Sequence, residues 1–253
     1  MEEELNYIEE LASSIKKAEQ SLEQNLDKKS ETPFVARLDG VAFRTYTSKL
    51  KKPFDQRFTE CMKETTRALM KHFQPSLGFV QSDEISLIFP NHAKLYNGRV
   101  VKLASVLAGA ASAYFAVNAQ KLGLPIGAFF DGRLVQYEPE KVIFWRASDL
   151  RRNSVNSIAQ SHYGYQKITN IPMKQLQNSL ESHFGSLDVA FGKDNLFGTI
   201  FKKHYFSHKG YDPIKKETVF AQRSTYEGRS IDLLTNHVDF QESSWPVDQP
   251  YRC

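Results

Sequence analysis

Cysteine is nearly absent: Cys61 and Cys253 are the only two in 253 residues, too few for a zinc site or a disulfide framework. Any metal must therefore be held by oxygen. The chain also lacks an uninterrupted run of eighteen apolar residues, the length a membrane-spanning helix needs. Its start, Met1-Glu2-Glu3-Glu4, has none of the basic character of a signal or transit peptide. Neither an internal repeat nor a low-complexity tract occurs. These absences argue against membrane, secreted and solenoid classes, and the expected location is intracellular and cytoplasmic, with mitochondria left open. What is present suits a globular fold, with 41% hydrophobic residues to build a core. The net charge of +4 hides an asymmetry: residues 1–33 carry nine acids and four bases, so the remaining 220 stand at +9. A basic body favours a polyanionic partner such as nucleic acid.

Two acids sit where packing alone would not place them. Gln81-Ser82-Asp83-Glu84 is enclosed by apolar Leu77-Gly78-Phe79-Val80 and Ile85-Ser86-Leu87-Ile88-Phe89, which reads as a hairpin with carboxylates at its mouth. Upstream, Phe34-Val35-Ala36-Arg37-Leu38-Asp39-Gly40 is another apolar strand that ends in an acid and a glycine. Strand-end carboxylates separated by a helix are the arrangement of a nucleotide-polymerising palm, where two Mg²⁺ ions are held between them. The plainer alternative is that Asp39-Gly40 is an ordinary turn and Asp83 a hairpin acid.

Periodicity orders the rest. Ile8, Leu11, Ile15 and Leu22 predict a helix over 4–25, taken as a separate N-terminal element (1–32). A strand at 33–39 precedes a helix with the stripe Phe58, Met62, Thr65, Leu69, Phe73, stopped by Pro75 and Gly78. After the hairpin, ended by Pro90-Asn91, comes a helix over 99–121, rich in small residues that let it lie close to a sheet. A fourth strand covers 128–135. The order βαββαβ is the ferredoxin-like split motif of polymerase palms and nucleotide cyclases. The expected fold is therefore α+β: a palm over 33–137 with an antiparallel sheet, both helices on one face and the other face free for substrate. A helical extension and tail follow over 138–253, with helices at 138–168 and 173–184, short strands at Phe197–Phe201 and Thr218–Phe220, and a loosely held end.

Basic residues are placed to meet a triphosphate: Lys52 after the first strand, and Arg99 and Lys102 where the second long helix begins. Together with Arg37-Leu38-Asp39-Gly40 and Phe43, Lys52-Pro53, Gln81-Ser82-Asp83-Glu84 with Ser86 and Phe89, Gly98-Arg99 with Lys102, Phe130-Asp131-Gly132-Arg133, and Trp145-Arg146 with Asp149 and Asn153, they resemble the tRNA-histidine guanylyltransferase superfamily of 3′-to-5′ nucleotide-adding enzymes. The resemblance covers about 33–160, with a faint late element at Gly198-Thr199 and Lys202-Lys203. It implies a mechanism. Asp39, Asp83 and the Gly40 carbonyl would hold two Mg²⁺ ions, with Glu84 assisting as a third catalytic acid. ATP and GTP or another NTP would be substrates, bound by Asp39, Gly40, Val41, Ala42, Phe43, Arg44, Lys52, Ser82, Asp83, Arg99 and Lys102. ATP would adenylate the 5′-monophosphate of a tRNA, and the 3′-hydroxyl of an incoming nucleotide would displace AMP. Arg133, Arg146, Arg151, Arg152, Asn153, Lys202 and Lys203 would hold tRNA. Family members are commonly tetramers, so a homotetramer is expected; no membrane partner is.

This chain departs from the pattern at two places. Enzymes specific for histidine tRNA carry Arg after Asp-Gly, where Val41 stands, and a His-Ile-Asn-Asn run where this chain has Arg151-Arg152-Asn153-Ser154. Both departures resemble the guanylyltransferase-like branch, which is associated with template-dependent repair of 5′-truncated tRNA. The rivals are a true histidine-tRNA guanylyltransferase adding a single G, another palm enzyme such as a cyclase or a 5′-to-3′ polymerase, and a non-catalytic RNA-binding module.

Overall fold

The computed structural model describes residues 29, 33–89, 95–236, 238–240 and 244–245. The helix expected over 4–25, the Pro90-Asn91 break and most of the last twenty residues lie outside them.

Strand β1 (Phe34–Val41) alternates its side chains between the two faces of a sheet. Phe34, Ala36 and Leu38 join one buried cluster and Val35 another, so the strand needs cover on both sides. Helix α1 (Gln56–Phe73) is started by Asp55, whose carboxylate accepts from the Arg57 amide at 3.0 Å, and ended by Gln74 in the left-handed region (φ 53). The predicted stripe is its buried face: Phe58, Met62, Thr65, Leu69 and Phe73. The hairpin is formed by β2 (Leu77–Gln81) and β3 (Glu84–Phe89), joined by Ser82-Asp83, with Ser82 at φ 55. Helix α2 (Val100–Lys121) and β4 (Phe129–Val135) complete the palm.

Strand order within the palm is β4-β1-β3-β2, every pair antiparallel. Helices α1 and α2 share one face, where Phe43, Phe58, Phe115 and Phe130 meet ring to ring. A Cβ at Gly132 would stand 2.4 Å from the Ala104 carbonyl oxygen, so α2 lies against β4 as closely as its small residues allow. By length and composition alone α2 could cross a bilayer (mean hydropathy 1.7 over an 18-residue window), yet Leu103, Leu107, Ala111 and Phe115 are buried against the sheet.

The second face of the sheet is not free. Helix α3 (Pro139–Tyr163) lies on it, burying Val142, Ile143, Ala147 and Leu150 against Val35, Leu77, Phe79 and Ile88. The reason is legible in β1 and β3, which are apolar on both faces over most of their length and alternate only near the acids. Helix α4 (Met173–Phe184) packs on α3 through Leu176 and Leu180. The late strands are also much longer than expected. β5 (Thr199–Asp212) and β6 (Glu217–Arg229) form a long hairpin, and β5 joins β2 through Val80, Phe79 and Gly78 to extend the sheet to six strands. Their outer halves carry no buried face, so no alternation marks them in the sequence.

Candidate active site

The acids gather where β1 ends beside the β2–β3 turn. The Gly40 amide donates to the Asp83 carbonyl at 3.1 Å, which ties the two backbones together. Gly40 itself is required by packing: a Cβ there would lie 2.3 Å from the Phe43 ring. Register then places Asp131, Asp39 and Glu84 directly opposite one another across β4, β1 and β3, on the α3 side of the sheet. The next row on that face is Arg133, Arg37 and Ser86.

Like charges facing each other across strands destabilise a sheet unless they are neutralised. Two of the three are. Glu84 accepts from Arg37 at 3.2 Å and also from Arg146, and Asp131 pairs with Arg133 at 3.1 Å. Asp39 and Asp83 have no cationic side chain within salt-bridge distance among the described residues. Asp83 takes a hydrogen bond from the Ser82 hydroxyl at 3.0 Å. Burial pushes its pKa above the usual carboxylate value, and the nearby charges of Asp39 and Glu84 push the same way. Two hard oxygen donors left without a counter-charge fit a divalent cation. No cluster of three or more His, Cys, Asp or Glu side chains able to hold a metal occurs among the described residues. Mg²⁺ suits that count, because it is commonly held by one or two carboxylates, with waters and substrate phosphates completing the shell.

Beside the turn lies a cavity of about 130 Å³ whose walls include Thr47, Lys52, Ser82, Asn153, Ser154 and Ser157. Lys52, Pro53 and Ser157 also line a second cavity of about 520 Å³, which opens to Arg44 and Ser48. The floor is polar and fixed. Buried Gln81 donates to the Ser154 hydroxyl (3.1 Å) and to the carbonyls of Asn195 (3.3 Å) and Leu196 (2.9 Å), pinning the acid turn to α3 and the short helix Lys193–Phe197.

Several residues predicted for the site sit elsewhere or act differently. Val41 and Ala42 are exposed at the end of β1, but Phe43 is 3% exposed and its ring belongs to the aromatic core rather than to a nucleotide pocket. Arg99 and Lys102 stand at the start of α2, which covers one face of the sheet. Helix α2 runs from Ala104, over Gly132, to Ser112, whose hydroxyl accepts from the Phe130 amide. Its N-terminus therefore lies on the sheet face opposite Asp39. Arg146 is 3% exposed, held by Glu84 and Asp149, with Trp145 against its guanidinium, and so is closed to an RNA backbone. Lys202 is likewise buried, donating to the Asp239 carbonyl at 2.6 Å beneath Trp245. A lysine or arginine in a basic stretch reads as a surface cation until the fold shows which ones sit under an aromatic ring. Asn153 lines the cavity with Ser82 and Lys52, whereas Arg151 pairs with Asp232 (2.7 Å) and Arg152 with Asp149. Sequence reading missed Arg37, Asp131 and Gln81 as parts of the site; strand alternation from Asp39 and Glu84 was the available signal for the first two.

A family model described as tRNAHis guanylyltransferase matches residues 13–138. An uncharacterized protein of Acanthamoeba polyphaga mimivirus is 30% identical over 240 residues, covering 79% of this chain and 81% of that protein. The tRNA(His) guanylyltransferase of Schizosaccharomyces pombe is 33% identical over 138 residues, 49% of this chain and 52% of its own length, so the match spans about half of that relative. Among solved structures, a bacterial tRNA(His) guanylyltransferase-like protein in complex with ATP superposes with a TM-score of 0.66 at 28% identity, covering 74% of this chain and 87% of that one. A bacterial protein of the same description in complex with GTP gives 0.62 at 26% identity, covering 85% and 90%. With the palm topology, the paired acids and the likenesses to named guanylyltransferases in agreement, the chain belongs to the tRNAHis guanylyltransferase superfamily of nucleotidyltransferases.

Proposed function

We propose that this protein adds nucleotides to the 5′ end of tRNA in the 3′-to-5′ direction, rebuilding 5′-truncated acceptor stems against the opposing strand. The observation that carries the reading is the pair Asp39 and Asp83, two carboxylates that have no ion-pair partner among the described residues, with Ser82 of the same turn in the wall of a polar cavity. Bound there, two Mg²⁺ ions would supply charge neutralisation for phosphoryl transfer and lower the pKa of an attacking hydroxyl. The chain's own residues do the positioning. The Gly40–Asp83 backbone bond ties the two acid-bearing segments together, while Arg37 and Arg146 neutralise Glu84 beside Asp39. Glu84 is thereby a positioning residue more than a third ligand. Lys52 and Arg44 line the adjoining cavities, where triphosphate oxygens would meet them.

ATP and GTP complexes of bacterial relatives support nucleoside triphosphates as substrates here. In the first step an oxygen of the tRNA 5′-monophosphate attacks the α-phosphorus of ATP and pyrophosphate leaves. The 3′-hydroxyl of the incoming NTP then attacks the activated 5′-phosphorus, its proton is lost, and AMP departs. Val41, and Arg151-Arg152-Asn153-Ser154, in place of the side chains that mark histidine-tRNA specificity, support templated repair over addition of a single G. Such a site takes its choice of nucleotide from base pairing. An intracellular homotetramer is part of the same reading, with light scattering as its check.

The test is a tRNA lacking its first nucleotide and carrying a 5′-phosphate, incubated with ATP, Mg²⁺ and one NTP at a time. The complement of the unpaired base should be incorporated, and changing that base should change the nucleotide added. Addition of guanylate whatever the opposing base would instead assign the chain to single-G addition.

A further inference from the structure

The hairpin of β5 and β6 leaves the body of the molecule. Only Thr199, Ile200 and Phe201 of β5 pair with β2. From His204 to Thr225 the two strands pair with each other alone among the described residues. β5 starts beside Val80, next to the acid turn, and runs away from it, so Tyr211 stands about 40 Å from Thr199 at roughly 3.3 Å per residue. A two-stranded ribbon of this length buries nothing in the protein's core. Its side chains are therefore free to be chosen for contact with something else.

Register sorts those side chains into two unlike faces. On the face shared with Phe201 and Tyr226, β5 contributes Tyr205, Ser207, Lys209 and Tyr211. Opposite them β6 contributes Thr218, Phe220, Gln222 and Ser224, with Phe220 directly across from Lys209. That face has neither a carboxylate nor an aliphatic side chain. Tyr211 is 64% exposed and Phe220 71%. The segment 204–225 holds four Lys and Arg against two acids, and both acids fall in the single pair Asp212–Glu217 beside the turn. Lys203, at the base of the same face, stands over the Tyr226 ring.

From this register we infer that the ribbon is an RNA-binding arm, its Tyr205, Tyr211 and Phe220 rings stacking on unpaired bases while Lys209 and Lys203 meet the intervening phosphates. The inference rests on the tRNA reading above and adds to it a second contact, far from the acids. Same-face side chains recur every ~6.6 Å along a strand, and sheets that present two or three rings in this way bind single-stranded RNA. Rings accept any base, and interleaved cations follow the backbone. Its polar members argue against a second copy of the chain as the occupant: rings alone would suit a protein interface as well, but such interfaces are depleted in Lys and Ser, and this face carries Lys203, Lys209, Ser207 and Ser224 between its rings. The family model stops at residue 138, well before the ribbon.

The experiment uses the full chain, with a short unstructured RNA oligonucleotide and a tRNA as probes, read by fluorescence anisotropy across a salt series. Light scattering and a thermal melt accompany each variant. Tyr211→Ala with Phe220→Ala should bind the oligonucleotide at least about tenfold more weakly, with the salt slope and thermal midpoint unchanged. Lys209→Ala should flatten the slope by about 0.7, the share of one single-strand phosphate contact. Ultraviolet crosslinking of the unmodified protein should join RNA to peptides containing Tyr205, Tyr211 or Phe220. A parent that binds tRNA while these variants bind both probes equally well overturns the inference and leaves the proposed function standing. Unchanged RNA affinity with a lower mass in the ring variant shows an interface between copies and overturns it too. A parent that binds neither RNA overturns both readings.

Discussion

The two ends of the sheet are built on opposite rules. At the acid end, Glu84, Arg37, Arg146 and Asp149 lock one another in place, Gln81 is bonded to α3 and the short helix Lys193–Phe197, and Gly40 is pressed against Phe43. At the other end the β5–β6 ribbon projects with its side chains exposed and its strands paired to one another. Fixed geometry belongs where charge must be held at set distances, and loosely constrained surface where a partner of variable shape is met. The contrast also separates substitutions by what they should change: function without stability, stability through a buried network, or neither beyond a contact.

The largest effect is expected at Asp39 and Asp83, the two acids that have no ion-pair partner among the described residues. Asp39→Asn or Asp83→Asn should cut nucleotide transfer by roughly 10²–10³-fold or more, measured as label added to a 5′-phosphorylated tRNA. Neither should lower stability. Because the folded state raises the pKa of Asp83, ionising it costs stability as pH climbs above the unfolded value, so Asp83→Asn should melt at or above the parent's temperature at neutral pH. A variant that melts far lower would move Asp83 from the chemistry to the architecture.

Arg146→Ala sharpens the contrast from the stability side. It leaves Glu84 with Arg37 alone and Asp149 with Arg152 alone and empties a buried site, and urea unfolding should show a loss of about 1.5–3 kcal/mol. Gly40→Ala forces the Phe43 ring to move and should cost about 1–3 kcal/mol, with a fall in transfer because the Asp39–Asp83 spacing moves with it. Smallest is Asp55→Ala, which removes the α1 cap for about 1 kcal/mol. Hydrogen bonding to Arg57 holds Asp55 down to a pKa of about 2, below the usual value of an aspartate in an unfolded chain. Its contribution is therefore complete above that unfolded value and is lost as pH falls toward 2, and the parent and Asp55→Ala stability curves should converge there.

The palm could be read from the sequence because each of its elements buries a face and so carries a period. The stripe from Phe58 to Phe73 fixed α1, and the apolar runs around Ser82-Asp83 fixed the hairpin. Asp39 and Asp83 could be picked out because acids at the ends of apolar strands have no packing role. What failed to show was long-range pairing. Nothing local says that Arg146 will be buried against Glu84, that Lys202 will lie under Trp245, or that Arg99 and Lys102 begin a helix on the sheet face opposite Asp39. α3 was seen as a helix but not as the cover of the second sheet face, although Val35, Phe79 and Ile88 demanded one. The outer ribbon has no buried side and therefore no period, so only Phe197–Phe201 and Thr218–Phe220 read as strand.

The central claim, that Asp39 and Asp83 form a cation site, is tested most directly by binding of Mn²⁺, as a spectroscopic stand-in for Mg²⁺, to the full chain. Titrations on the parent, Asp39→Asn and Asp83→Asn, with and without ATP, should show binding that strengthens as pH rises through the ionisation of Asp83, strengthens again with ATP, and falls at least about tenfold in either variant. Equal binding by the parent and both variants, with no dependence on pH, would contradict the account.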